Sequence, residues 1–268
     1  MQVPRFFVYL FHLLSILVRN SIFLVATLAL LFASCESKKS DSIRIATSAN
    51  MQYAIKEIAT AFTKKTGVHC EVIIASSGKL AAQIIEGAPF DIFASADLKY
   101  PQMVYEKGKA INRPEVYAYG TLILWSKDAI PITSLAMLTE DHIHHIAVAN
   151  PKTAPYGTAA VEALKHHNIY DQVLTKLVYG ESVAQTDQFI TTKAAQIGFT
   201  SKSTVLSKNK TISGNWIEIS RDLYSPIEQS CVLLNSNPKK RKTSELFYEY
   251  LFSKESKAIL KKFGYLVP

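Results

Sequence analysis

The stretch Val72-Ile73-Ile74-Ala75-Ser76-Ser77-Gly78-Lys79-Leu80 constrains the chain more than any other. It carries an apolar strand through two hydroxyls and a glycine into the helical pattern Leu80-Ala81-Ala82-Gln83-Ile84-Ile85. The first turn of a helix leaves backbone N–H groups without partners and holds the positive end of the macrodipole, so an anion placed there meets donors already aimed at it. Ser76 and Ser77 add hydroxyls at that spot. A serine there can also simply cap the helix, and the balance shifts toward a binding role only because similar turns recur.

They recur because strands and helices alternate along the chain. Residues 43–46 read as a strand, residues 53–66 as a helix (Ile55, Ile58, Ala59, Phe62) stopped by Gly67, residues 68–74 as a strand and residues 80–86 as a helix. A strand at 91–94 and a helix at 102–107 follow. The pattern then restarts, with strands at 119–125, 146–148, 177–179 and 197–199 and helices at 158–167 and 184–192. A strand at 230–234 and helices within 243–263 close the chain. Such alternation implies parallel sheets with helices on both faces. With 268 residues, 48% of them hydrophobic, the chain can bury one large or two medium cores. The pattern reads as two α/β units, with no short-period repeat.

Residues 1–34 are of another kind. They lack acid, carry Arg5 and Arg19 as their only fixed charges, and contain an apolar core at 21–33 that suits a signal sequence better than a spanning helix. The run ends in Phe32-Ala33-Ser34-Cys35, which resembles a bacterial lipoprotein signal in which Cys35 becomes the lipidated first residue. The alternative is an uncleaved anchor over 6–33. Either way the globular part is exported, periplasmic or on the outer envelope face, and tethered to the membrane through the polar segment 35–42.

Export argues against nucleic acid as a partner, and so does charge. Without Arg5 and Arg19, 28 of the 30 basic residues face 22 acidic ones, an excess spread through helices. The dense run Lys239-Lys240-Arg241-Lys242 reads as a solvated loop. Cys70 and Cys231 lie in strand-like runs and read as small buried hydrophobes; an oxidising envelope would permit a bridge that sequence cannot place. His142, His144, His145, His166 and His167 lack the i, i+4 spacing of a metal site and read as surface or strand-end residues. Asp91 and Asp97 read as loop and cap residues.

Ligands of doubly wound sheets bind beyond the carboxyl ends of the strands. Four turns qualify: Thr47-Ser48-Ala49-Asn50, Ser76-Ser77-Gly78, the stretch from Asn150 through Pro155-Tyr156-Gly157, and Glu181-Ser182-Val183-Ala184. All are built from small neutral or amide residues ahead of helices, and their four dipoles would bind a compact anion without a countercharge. A serine acyl-transfer enzyme is the remote rival, because Ser76-x-x-Lys79, Ser48-x-Asn50 and Lys65-Thr66-Gly67 all occur. Their order along the chain is wrong, and Lys65-Thr66-Gly67 ends a helix. A ferric-ion binder would want clustered tyrosines, and an amino-acid binder an Arg or Asp in the turns, which these turns lack.

With Ser77-Gly78, Gln83-Ile84, Gly87-Ala88-Pro89, Asp91-Ile92-Phe93-Ala94-Ser95-Ala96-Asp97, Ala147-Val148-Ala149-Asn150-Pro151, Ala154-Pro155-Tyr156-Gly157, Glu181-Ser182-Val183, Gly198-Phe199 and Gly264-Tyr265, the chain resembles the periplasmic molybdate-binding proteins of ABC importers over nearly everything after residue 42. The resemblance implies a non-enzymatic, cofactor-free and monomeric receptor. It also implies an α/β fold of two Rossmann-like lobes with a ligand cleft between them, residues 43–119 plus 230–268 forming lobe 1 and residues 120–229 lobe 2, with crossovers near Tyr119-Gly120-Thr121 and Ile227-Glu228-Gln229. The lobes would close on one molybdate or tungstate oxyanion and present it to an importer permease. A sulfate-type receptor is the alternative. By matching motifs the oxyanion positions fall on Ala49, Asn50, Ser77, Tyr156 and Val183, with the backbone N–H as donor at Ala49, Tyr156 and Val183. Ser48 and Ser76 are additional candidates. Some members place a Tyr hydroxyl after the strand matching Ile197-Gly198-Phe199; here Thr200-Ser201-Lys202 stands there, and Asn50 fits the branch without that Tyr.

Overall fold

The computed structural model describes residues 42–128, 130–207, 213–235 and 237–268. The apolar N-terminal segment, Cys35 and the tether through residue 41 lie outside the described residues.

The first sheet begins with β1 (Ser42–Ser48), so the strand takes in Ser42, the last residue assigned to the tether. The chain continues through α1 (Gln52–Thr66), β2 (His69–Ala75), α2 (Ser77–Ile85), β3 (Ile92–Ser95), α3 (Lys99–Glu106) and β4 (Glu115–Gly120). The second sheet takes β5 (Leu122–Ser126), β6 (Ile146–Ala149), β7 (Leu177–Gly180), β8 (Ile197–Ser201) and β9 (Asn215–Glu218). Among these strands lie α4 (Pro155–His166), α5 (Tyr170–Val173), α6 (Val183–Thr191) and α7 (Lys202–Leu206). The chain returns through β10 (Ile227–Leu233) and ends in α8 (Arg241–Leu251) and α9 (Lys254–Lys262).

The strand orders are β2-β1-β3-β10-β4 and β7-β6-β8-β5-β9. In each sheet the first three strands are parallel and the fourth runs against its neighbours. The two lobes therefore share one plan, and in both the antiparallel strand arrives from the other lobe. The run read as one strand over 119–125 is two strands of different sheets, broken at Thr121; its hydropathy is continuous because β5 is buried throughout and Tyr119 is half-buried. Gly120 and Ile227, Tyr119 and Glu228, and Ala118 and Gln229 are paired across the first sheet. Residues 120 and 227–229, assigned from sequence to the second lobe, thus belong to the first sheet.

Helix α1 places Ala54, Ile55, Ile58, Ala59 and Phe62 on one face, where they pack with Ile43, Ile45 and Phe247. The opposite face of that sheet buries Leu80, Ala81, Ile84 and Phe93. Lys239-Lys240-Arg241-Lys242 is not a loop: it forms the end of a 3-10 turn and the first residues of α8. Cys70 and Cys231 are free thiols. They stand on β2 and β10, which are not neighbours in the sheet.

Candidate functional site

Strand β1 ends at Ser48, and Ala49–Met51 wind one 3-10 turn before α1. Because N–H groups in a first turn lack intrahelical partners, Ala49 and Asn50 present backbone donors at the strand's carboxyl end. Helix α2 starts at Ser77, with Ser76 at its N-cap position. Ser76 makes no capping bond, and its buried Oγ has no hydrogen-bond partner, which sets aside the plain capping role for that residue. Ser77 Oγ accepts from the Ala96 N–H at 3.1 Å, leaving its own proton to donate elsewhere.

The second lobe offers main chain only. Helix α4 opens with Pro155, which has no N–H, so Tyr156 carries the first donor of that turn. Helix α6 opens with Val183; Ser182 Oγ accepts from Gln185 N at 3.4 Å and Glu181 N donates to Gln185 Oε1 at 2.6 Å. Those contacts occupy the cap residues on either side of the Val183 N–H and leave it in the open first turn.

The structure brings all the sequence-nominated residues out of solvent: Ser48, Ala49, Asn50, Ser76, Ser77, Tyr156 and Val183 are each at most 4% exposed. Ala49 and Ala96 from the first lobe pack in one apolar cluster with Tyr156 and Val183 from the second. The lobes are thus shut against each other. At the rim, Gly78 N–H donates to Thr153 O at 2.9 Å, Tyr100 Oη donates to Lys152 O at 2.8 Å, and Lys79 Nζ pairs with Glu181 Oε1 at 2.5 Å. The Tyr156 ring reaches the inter-lobe crossover. A Cβ on Gly120 would stand 2.2 Å from its hydroxyl, so only glycine lets the ring lie there. Burial pushes the Tyr156 phenol well above its ordinary pKa and keeps it protonated.

Asn50 is spoken for. Its Oδ1 accepts from Ser48 Oγ at 2.7 Å, and its Nδ2 donates to Gln229 Oε1 at 2.7 Å and Tyr265 Oη at 3.0 Å. With both amide protons used, Asn50 can offer an anion only its backbone N–H. Ser201 Oγ lies 2.9 Å from Ser203 Oγ and 3.1 Å from Thr204 Oγ1, so it too is engaged. Gln229, Ser203 and Tyr265 are neighbours of Asn50 that no local pattern places there, since they join it across 179, 153 and 215 residues.

Other features resolve into structure. Asp97 Oδ1 accepts from Ser95 Oγ and from Tyr100 N in the first turn of α3, and Asp91 Oδ2 accepts from Arg44 N. Lys79 is paired with Glu181 rather than with Ser76, and Thr66 Oγ1 donates to Phe62 O inside α1. The serine acyl-transfer arrangement is therefore not assembled. Among the described residues no group of three or more His, Cys, Asp or Glu is placed to hold a metal ion.

What is assembled is a junction between two like α/β lobes, where the first turns of α2, α4 and α6 and the hydroxyls of Ser76 and Ser77 are withdrawn from solvent: the architecture of a two-lobed binding protein. A family model, bacterial extracellular solute-binding protein, matches residues 43–266, and the chain belongs to that family. It is 35% identical over 222 residues to the molybdate-binding protein ModA of Rhodobacter capsulatus, covering 82% of this chain and 86% of that one. It is 33% identical over 244 residues to the molybdate-binding protein ModA of Azotobacter vinelandii, covering 90% and 96%. The solved periplasmic molybdate-binding protein of Azotobacter vinelandii superposes with a TM-score of 0.80 at 30% identity, covering 84% of this chain and 99% of that one.

Proposed function

We propose that this protein captures molybdate or tungstate in the inter-lobe cleft and hands it to an ABC importer, held at the membrane through Cys35 as a monomer. The N–H groups of Ala49, Asn50, Tyr156 and Val183 and the Ser77 hydroxyl serve as donors, with the Ser76 hydroxyl in support. The observation that supports this reading is the burial of the nominated donors of both lobes, with Ala49, Tyr156 and Val183 in one cluster and Ser76 Oγ unpartnered.

A buried dianion must exchange its water for many hydrogen bonds, and each one to a charged acceptor contributes about 1.5–3 kcal/mol. A fully deprotonated tetrahedral oxyanion needs donors only, whereas hydrogen phosphate also brings a proton that wants an acceptor. Within the four turns the carboxylate is Glu181, held by Lys79 at the rim, and nearby Asp97 is engaged by Ser95 Oγ and Tyr100 N, so the cleft suits molybdate, tungstate or sulfate over phosphate. That relatives are named molybdate-binding proteins supports molybdate over sulfate as the ligand here. Closure follows from the same donors: neither lobe alone completes the shell, so the anion stabilises the shut form that the permease would engage.

Calorimetric titration with molybdate, tungstate, sulfate and phosphate tests the proposal. Submicromolar binding of the first two with weak or absent sulfate binding is expected. Tight sulfate binding, or silence with all four, would contradict it.

A further inference from the structure

The terminal pair Gly264-Tyr265 stands far in sequence from every turn of the site, yet it reaches the first of them. Gly264 sits at φ +78°, a conformation that L side chains rarely adopt, and there the chain turns Tyr265 inward until it is 3% exposed. Leu266 then pairs with Tyr119 through two backbone bonds, N to O at 3.0 Å and O from N at 2.7 Å, which fixes the segment to the strand nearest the crossover. The Tyr265 hydroxyl accepts from Asn50 Nδ2 at 3.0 Å and donates to Asn50 O at 2.9 Å. The same carbonyl accepts a second bond, at 2.6 Å, from Ser203 Oγ.

Those two bonds come from different lobes. Tyr265 lies on the first-lobe side, packed with Ile43, Tyr117 and Phe263, whereas Ser203 is carried by α7 directly after strand β8 of the second sheet. Every side-chain polar group of Asn50 and its carbonyl are satisfied, and only the N–H remains to face a ligand.

Resting on the oxyanion reading above, we infer that Tyr265 and Ser203 are positioning residues for the Ala49-Asn50 donor turn. Tyr265 holds the turn in shape from its own lobe, and Ser203 adds a bond from the opposite lobe when the cleft shuts. Neither side chain touches the anion. Their hydroxyls fix the Asn50 peptide, so the donors of the turn stay aimed at the cleft, and the Ser203 bond ties that aim to closure. Release of the anion then requires this bond to break, which places the effect in the dissociation rate.

The experiment uses the full-length protein in detergent and molybdate as ligand. Dissociation constants come from calorimetry, dissociation rates from stopped-flow tryptophan fluorescence, and melting temperatures are taken without anion. Ser203→Ala is expected to raise the dissociation constant about tenfold, almost wholly through a faster dissociation rate, with an anion-free melting temperature close to wild type. Ser203→Thr, which restores a hydroxyl, recovers most of the loss. Tyr265→Phe is expected to weaken binding more. It also strands a buried amide proton, so a fall in its melting temperature leaves Ser203→Ala as the deciding variant. Wild-type binding with Ser203→Ala unchanged in affinity and rate overturns the positioning role and leaves the oxyanion reading standing. A wild-type protein that binds no molybdate overturns both.

Discussion

The two lobes share a sheet plan but furnish the cleft differently. The first lobe brings side chains: the hydroxyls of Ser76 and Ser77, and an Asn50 whose amide is consumed in holding its own turn. The second brings bare main chain at Tyr156 and Val183, the starts of α4 and α6. Behind that main chain it buries an acid, Asp187, which accepts from the hydroxyls of Thr200 and Thr204 and has no cation among its partners. In the proposed site the first lobe thus adds hydroxyls, which substitution can erase, to the backbone N–H groups of Ala49 and Asn50. The second lobe's proposed donors are backbone alone, and only a change to the backbone removes one.

This contrast orders what mutation should do. The largest effect is expected from Val183→Pro. Ser182 already sits at φ −150°, ψ 169°, the extended conformation a following proline requires, and the first helical position tolerates proline, so the fold should survive while the donor is lost. Affinity should fall by about 1.5–3 kcal/mol, whereas Val183→Ala should bind like wild type; calorimetry on the pair would break the comparison if the two behaved alike. Ser77→Ala comes next, with a loss of about 1–3 kcal/mol traceable to a single hydroxyl, and an unchanged dissociation constant would refute its assigned role.

A third test concerns the buried acid. Burial raises the Asp187 pKa to about 7, above the value of about 3.9 expected in the unfolded chain. Between those values the folded state holds a proton that the unfolded state has released, so the stability tied to this group is present below about pH 4 and is lost as pH climbs toward 7. Asp187→Asn should therefore melt higher than wild type at pH 8, with the gap closing as pH falls toward 4, in thermal melts across that range. The smallest effect is expected from Lys79→Met, which removes a half-exposed rim pair. It should cost about 1 kcal/mol or less and fade at high salt.

Much of the fold was legible because it rests on local periodicity. The alternation of β1, α1, β2, α2 and β3 is written in apolar spacing, and the turns that start helices are marked by serine, proline and glycine. Gly120-Thr121 marked the crossover, but not that the run changes sheets there, because the apolar pattern continues from Tyr119 to Trp125 and β5 is buried throughout. Strand β9, Asn215–Glu218, escaped notice because it is a mostly exposed edge with mixed polarity. In the site, sequence could nominate turns but not partners. That Asn50 spends its side chain on Ser48, Gln229 and Tyr265 depends on strand β10 and the C-terminal segment arriving beside the first turn, which only the tertiary structure shows.

Whether one tetrahedral oxyanion is held by neutral donors from both lobes can be seen by diffraction from crystals grown with molybdate, using the anomalous signal of molybdenum to locate the ion. One peak is expected in the cleft, with oxyanion oxygens about 2.7–3.1 Å from the Ser77 hydroxyl and from the N–H groups of Asn50, Tyr156 and Val183. A peak outside the cleft, or one contacting a single lobe or a lysine side chain, would contradict it.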